Sequence, residues 1–223
     1  MVGDKIICLT LGAIETNCYF FSYSDCLCVI DPAICNQQLL HTIDEICIDE
    51  KLHFSSVFLT HGHLDHVAGI GELKKKYPDI KVYISKYDSQ YLGNGSYDFQ
   101  YNDFAKSGMG GFVQYVLPDK NDLPCADELF SDGEMLFPSW QVIATPGHTK
   151  GSSCLYNEKK GIVFTGDTLM FNSYGRTDMT GGSDYDMENS LKKIKTLPKD
   201  TVVYPGHDIY GFRLSECFLW GLL

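Results

Sequence analysis

The chain has 223 residues, of which 44% are hydrophobic, and its formal net charge is −11. This length is enough for one domain over 1–223 with a sizeable core, so disulfide bonds are not needed for stability. The acidic balance argues against a binder of nucleic acid or anionic membranes, because such proteins present a basic face. No apolar run reaches the roughly 18 to 20 residues of a membrane span.

The N-terminal and cysteine patterns bear on the cellular compartment. The first residues lack the basic and apolar regions of a signal peptide. Nine cysteines are scattered along the chain without a C-x-x-C pair, which argues against a zinc ribbon or a thioredoxin-type motif. Most lie in apolar stretches, so we expect free buried thiols in a reducing cytoplasm.

The first part of the chain predicts strands followed by alternating helices and strands. Short apolar runs between turn-like segments predict the strands, and apolar residues at helical spacing predict the helices. The predicted strands are 4–11, 17–23, 26–31, 56–60 and 81–85. The predicted helices are 36–50 and 66–77, the second closed by Pro78.

The segment 86–133 differs because it places many aromatic residues among glycines. We expect helix fragments and loops there, which either cover a site like a lid or form a surface excursion with its own aromatic core. Beyond it, the predicted strands are 140–145, 152–156, 161–166 and 201–204, with a helix over 185–197. Such a pattern in both halves is typical of two sheets packed face to face with helices outside.

Five of the seven histidines fall in short polar clusters, each directly after an apolar strand. The clusters are residues 60–66 (THGHLDH), 145–151 (TPGHTKG), 165–168 (TGDT) and 204–208 (YPGHD). Because all four emerge at strand ends, a rigid scaffold can aim them at one point. A glycine in each cluster permits a tight bend and a close approach to a metal or substrate.

These residue types and spacings predict a binuclear metal site. A single histidine at a strand end is more often a hydrogen-bond partner, but the combined set favours ligation. We expect His61, His63 and His148 on one ion, Asp65, His66 and His207 on the other, and Asp167 as a bridge. Imidazole and carboxylate together suit zinc, iron or manganese. Two ions roughly 3.5 to 4 Å apart hold a bridging water and lower its pKa, which yields hydroxide as the nucleophile.

The two remaining histidines provide a contrast. His41 lies in a predicted amphipathic helix and His53 in a predicted polar loop, and we expect both on the surface.

Further motifs accompany the clusters, at 11–19 (LGAIETNCY), 29–32 (VIDP) and 175–178 (GRTD). With them, the chain resembles the metallo-β-lactamase superfamily over almost its whole length, and within it the short glyoxalase-II-like (hydroxyacylglutathione hydrolase-like) hydrolases. The resemblance implies an αββα sandwich of two mixed sheets flanked by helices, with a pair of divalent ions, zinc in the first instance, at one edge of the sheets.

Single positions separate the branches of this superfamily. The resemblance implies no antibiotic hydrolysis, because the common zinc β-lactamases carry cysteine at the position of Asp167. The diiron flavoproteins carry glutamate at the position of His63, so the resemblance does not imply a flavoprotein. The nuclease branch adds domains or an RNA-binding arm, and we expect neither in this acidic chain. The full glyoxalase II enzymes add a helical C-terminal domain that holds glutathione. Only sixteen residues follow His207, so we do not expect that domain.

The resemblance implies a binuclear hydrolase of a small-molecule thioester such as S-acyl-glutathione, with Asp65 and Asp167 in catalytic roles. It places Arg176 where a basic residue meets the substrate, although a salt bridge with a nearby acid is the alternative. Lys150 is a second candidate for substrate binding. Three other functions stay open: a mononuclear iron persulfide dioxygenase, a metallo-hydrolase of another ester or lactone, and a metal-binding scaffold without catalysis. In the dioxygenase, iron would bind His61, His148 and Asp167.

Overall fold

The computed structural model describes residues 6–217. Within that range the strands form two six-stranded sheets in which neighbours in the chain are neighbours in space. The first sheet contains β1 (Ile7–Leu11), β2 (Thr16–Tyr23), β3 (Cys26–Ile30), β4 (His53–Phe58), β5 (Lys81–Ser85) and β6 (Glu128–Phe130). The second contains β7 (Met135–Leu136), β8 (Trp140–Ala144), β9 (Ser153–Asn157), β10 (Ile162–Gly166), β11 (Val202–Pro205) and β12 (Phe212–Arg213).

Both sheets are mixed. In the first, β1 to β3 pair antiparallel, and β3 to β6 pair parallel. In the second, only the β10–β11 pair is parallel among the described strands. The parallel pairs bring several strand ends to one edge of the sandwich, where loops can converge.

The helices cover the outer faces of the sheets. They are α1 (Gln37–Glu50), α2 (Leu64–Val67), α3 (Ile70–Lys76), α4 (Ser96–Lys106), α5 (Gly110–Val116) and α6 (Asp184–Lys195). The side chain of Asn36 accepts a hydrogen bond from the Leu39 backbone N–H and begins α1, and Ser183 does the same for α6 through Asp186. These residues satisfy donors that the first helical turn leaves unpaired.

Apolar clusters among residues 6–217 define four layers. Helices α1 to α5 pack on the outer face of the first sheet, and α6 packs on the second sheet. Between the sheets lies an aromatic cluster in which the Phe21 and Trp140 ring centroids are 4.4 Å apart. This arrangement confirms the predicted αββα sandwich.

The predicted helix over 66–77 is wrong in one respect, because it is divided into α2 and α3 around Gly69. The Gly69 N–H donates to the Ala33 carbonyl at 2.5 Å, and a Cβ on Gly69 would lie 2.9 Å from the Pro32 carbonyl oxygen. The chain therefore bends where it touches a distant loop, a contact that helical periodicity does not record.

Other elements were not predicted. Strands β6, β7 and β12 have two or three residues each, too few to show an alternating pattern. Segment 86–133 contains the helices α4 and α5, in agreement with the helix fragments predicted there, and it also contains β6, which adds a parallel edge strand beside β5. His53 begins β4 instead of lying in a loop, yet it is exposed as predicted, and so is His41.

All nine cysteines lie within residues 6–217 and are free, as the sequence predicts. The expected burial holds for only four of them, Cys18, Cys28, Cys154 and Cys217, and Cys125 is exposed. No helix among the described residues combines the length and the apolar character needed to cross a membrane.

Candidate metal centre

The structure brings all seven predicted ligands to one edge of the sandwich. The loop after β4 carries two of them, the short helix α2 that follows carries two more, and the loops after β8, β10 and β11 carry one each. They are His61, His63, Asp65, His66, His148, Asp167 and His207. Their donor atoms form overlapping groups of three in which all atoms lie within 4.8 Å of one another.

The first group consists of three buried histidines, His61, His63 and His148. His63 Nδ1 lies 2.8 Å from His148 Nε2. His61 Nε2 is buried and has no hydrogen-bond partner among the described residues. A buried unpaired nitrogen costs about 1–3 kcal/mol, so these donors fit a cation that would accept their lone pairs.

The second group consists of Asp65, His66 and His207. His66 Nε2 lies 3.2 Å from His207 Nε2 and 3.4 Å from Asp65 Oδ2. His207 Nε2 lies 3.3 Å from the same carboxylate oxygen. Two imidazoles and one carboxylate thus face a common point.

Asp167 lies between the two groups. Its Oδ1 is 3.4 Å from His66 Nε2, and its Oδ2 is 3.4 Å from His148 Nε2. Oδ1 has no hydrogen-bond partner among the described residues although it is buried. Oδ2 also lies 3.7 Å from His207 Nε2, so this one carboxylate contacts donors of both groups, as a bridging ligand would.

The ring nitrogens that point away from the donor groups have partners of their own. His66 Nδ1 lies 2.9 Å from Asp31 Oδ2, and His148 Nδ1 lies 2.7 Å from the Arg176 carbonyl oxygen. His207 Nδ1 lies 3.1 Å from the carbonyl oxygen of Ile14. Such partners fix the tautomer and the ring orientation of histidines that ligate metals.

In the absence of a metal ion, burial and neighbouring charges set the protonation states of the candidate ligands. Burial lowers the pKa of His148 to about 4, assisted by the neighbouring His63. Burial raises the pKa of Asp65, but the positive charge of His66 and a hydrogen bond from His207 outweigh it and bring the value to about 2. His148 is thus neutral and Asp65 ionised near pH 7, the forms that bind cations.

Two glycines allow this close assembly. A Cβ on Gly206 would overlap Asp167 Oδ1 and would lie 2.7 Å from His66 Cε1. Gly147 has a φ of +141°, and its Cβ would lie 2.5 Å from the Met187 backbone nitrogen at the start of α6. Only glycine fits both demands, as the clusters predicted.

Sequence reasoning missed three supporting carboxylates. Asp31 accepts hydrogen bonds from the Thr60 backbone N–H (2.8 Å) and hydroxyl (2.7 Å), and it also contacts His66. Asp103 on α4 lies 3.5 Å from His63 Nε2. A signal existed for Asp31, which directly follows a strand in the 29–32 motif. None existed for Asp103, whose partners are distant in sequence.

Asp88, the third, connects two ligand loops. Its carboxylate accepts from the Gly62 N–H at 2.9 Å, the Gly151 N–H at 2.7 Å and the Thr149 hydroxyl at 2.7 Å. Its burial raises the pKa of the carboxyl group, while these hydrogen bonds oppose that effect. The residue therefore holds the loop after β4 against the loop after β8.

A cleft of about 870 Å³, including its open mouth, lies over the donor groups. Phe104 and Met109 from segment 86–133 form part of its wall, so this segment reaches the site. Arg176 also lines the cleft, but its Nε and Nη2 donate to Asp178 at 2.6 and 2.7 Å. In this structure Arg176 thus forms the alternative salt bridge. Lys150 is exposed and is not among the described residues that line the cleft.

Comparisons with known proteins agree with this geometry. The model of the metallo-beta-lactamase superfamily matches residues 11–207. The probable metallo-hydrolase YqgX of Bacillus subtilis (strain 168) is 29% identical over 202 residues, which cover 89% of this chain and 88% of that protein. The hydroxyacylglutathione hydrolase of Buchnera aphidicola subsp. Baizongia pistaciae (strain Bp) is 29% identical over 189 residues, which cover 85% of this chain and 60% of that protein.

A solved structure is similar over nearly the full length. The crystal structure of TTHA1623 in a di-iron-bound form has a TM-score of 0.74 at 28% identity, covering 94% of this chain and 96% of that one. With its four-layer sandwich, its converging histidines and aspartates and the match over 11–207, the chain belongs to the metallo-beta-lactamase superfamily.

Proposed function

We propose that this protein is a binuclear metal-dependent hydrolase that cleaves thioesters, with S-acyl-glutathione compounds as the first substrates to test. The position of Asp167 carries the proposal, because its carboxylate contacts donors of both groups. Membership of the superfamily supports a metal-dependent hydrolase. The Buchnera relative supports the thioester class.

The donor set fits two divalent ions. His61, His63 and His148 would hold one ion, Asp65, His66 and His207 would hold the other, and Asp167 would bridge them. The unpaired buried atoms His61 Nε2 and Asp167 Oδ1 would gain a partner in this way. We propose zinc, and the same nitrogen and oxygen donors suit iron or manganese. The di-iron form of TTHA1623 supports a pair of ions.

When bound, the ion pair supplies an activated hydroxide and an electrophile for the carbonyl oxygen. The chain orients that chemistry through its carboxylates. Asp65 Oδ2 accepts a hydrogen bond from the Thr16 hydroxyl at 3.4 Å and lies 3.3 Å from His207 Nε2, so this oxygen would hold the second ion. The other carboxylate oxygen of Asp65 would relay a proton to the leaving thiolate. Asp167, which contacts donors of both groups, would hold the hydroxide between them. Phe104 and Met179 line the cleft and exclude bulk water from the reacting atoms.

Metal content per chain and hydrolysis of S-lactoylglutathione, measured on the same sample, test this proposal. We expect two ions per chain and thioester cleavage. His63→Ala and Asp167→Ala should each lose most of the metal and most of the activity. His41→Ala changes an exposed histidine and should leave both intact.

Two outcomes would contradict the assignment. Full turnover with bound metal in Asp167→Ala would exclude its bridging role. One iron per chain, no thioester cleavage and oxygen consumption with glutathione persulfide would instead establish the mononuclear dioxygenase.

A further inference from the structure

The cleft over the donor groups has largely apolar walls. Its apolar and aromatic side chains are Ile14, Phe104, Met109, Met170, Tyr174 and Met179. Three of the six methionines in the chain lie here. Methionine is unbranched and polarizable, so a wall of this kind adapts to flexible hydrocarbon ligands. The composition indicates a ligand that buries apolar surface next to the reacting centre.

The wall of the cleft offers little charge to an anionic ligand. Among the described lining residues, Arg176 has the only lysine or arginine side chain, and its guanidinium is paired with both carboxylate oxygens of Asp178. The two divalent ions proposed for the floor would more than offset the charges of Asp65 and Asp167, and they would face the carbonyl group of the substrate. Away from the floor, the described wall presents no unpaired lysine or arginine, which suits an uncharged acyl chain.

Apolar surface continues into a second cavity beside Asp65. This narrow cavity shares Ile14 and Asp65 with the cleft. Its other walls include Leu11, Ala33, Ile34, Ala68, Phe112 and Val116. Hydrocarbon walls thus border the catalytic carboxylate in both cavities.

We propose that the substrate is a thioester with an extended, uncharged acyl chain, whose hydrocarbon lies in the methionine-lined cleft while its carbonyl carbon lies over Asp65 and Asp167. This inference rests on the proposed thioesterase function. In the reaction, the oxygen of water forms a bond to the carbonyl carbon and the carbon–sulfur bond breaks. The proton released by water ends on the sulfur, and the products are a carboxylic acid and a free thiol.

A chain-length series tests the proposal directly. The probes are uncharged S-acyl-N-acetylcysteamine thioesters from acetyl to decanoyl, with S-lactoylglutathione as the reference. We expect kcat/KM to rise about fourfold for each methylene that becomes buried, until the cleft is filled. A flat or falling series, with S-lactoylglutathione still cleaved, would overturn the acyl-chain proposal and leave the hydrolase assignment intact.

A binding measurement separates the two proposals when no thioester is cleaved. The thioether S-decyl-N-acetylcysteamine cannot be hydrolysed, and its affinity for the metal-free protein can be measured by calorimetry. We expect binding that weakens at least tenfold when decyl is replaced by ethyl. The absence of binding would refute the acyl-chain proposal by itself. Binding without cleavage of any thioester by metal-loaded protein would refute the proposed reaction.

A variant with a matched control tests whether the acyl chain of the substrate lies in the cleft. Met109 occupies the N-cap position of α5, where an aspartate is well tolerated by a helix, so Met109→Asp should fold. The new carboxylate in the cleft wall should reduce the affinity for the decyl thioether at least tenfold and flatten the chain-length series. Met135→Asp, at an exposed methionine on β7, should retain the affinity and the slope of the original protein. Unchanged affinity in Met109→Asp would contradict the placement.

Discussion

Asp88→Asn should weaken both the fold and the metal site, because Asp88 joins two ligand loops. Oδ2 accepts from the Gly62 N–H and the Thr149 hydroxyl, and Oδ1 accepts from the Gly151 N–H. An asparagine can turn its carbonyl oxygen toward the first two donors. Its amide then faces the Gly151 N–H, which places donor against donor in a buried site.

The variant leaves both the Gly151 N–H and the asparagine amide without an acceptor in a buried site. This lowers the free energy of unfolding by about 1–3 kcal/mol. In a chain of this size, each kcal/mol lowers the thermal midpoint by about 2–4 °C. Displacement of the loops that carry His63 and His148 should also reduce metal affinity by about 10- to 100-fold, the range found for residues that orient ligands.

Two measurements check this prediction. Thermal unfolding of the metal-free protein gives the change in the free energy of unfolding, and competition with a chromophoric chelator gives the metal affinity. Asp119→Asn changes an exposed aspartate and should stay within about 0.5 kcal/mol of the original protein. Unchanged stability and unchanged metal affinity in Asp88→Asn would refute the argument that Asp88 holds the loops together.

Three other changes have defined outcomes. Asp103→Asn should weaken metal binding about 10- to 100-fold in chelator competition, because the carboxylate faces His63 Nε2 at 3.5 Å; an unchanged affinity would exclude this positioning role. Gly206→Ala should lose at least tenfold in thioesterase activity, because its Cβ would overlap the bridging carboxylate, and circular dichroism should show the fold retained. Asp178→Asn releases the Arg176 guanidinium and should lower the KM for S-lactoylglutathione without raising kcat, as steady-state kinetics would show.

The parts of the fold that the sequence predicts are those encoded locally. The long strands appear as apolar runs, and α1 and α6 appear as amphipathic repeats. The convergence of the candidate ligands was partly predictable, because His61, His63, Asp65 and His66 lie within six consecutive positions after one strand. Candidate ligands that lie close together in the sequence can be recognised without knowledge of the tertiary contacts.

Several of the missed features depend on distant partners. Asp88 pairs with backbone groups 26 and 63 residues away, and no local pattern marks that pairing. The division between α2 and α3 follows from contact of Gly69 with the Pro32–Ala33 backbone. The pairing of Arg176 with Asp178 is local, but its geometry is decided by side-chain direction, which spacing alone leaves open.

Each donor group draws ligands from both sheets, and this has a mechanical consequence. His63 and His148 are 85 residues apart, and His66 and His207 are 141 residues apart. An ion in either group would therefore act as a cross-link that closes a long loop and restricts the unfolded chain, as a disulfide does. The donor groups contain imidazoles and carboxylates and no cysteine, so such cross-links would open when a chelator removes the ions. The ions proposed for catalysis would then also hold the two sheets together at this edge of the sandwich.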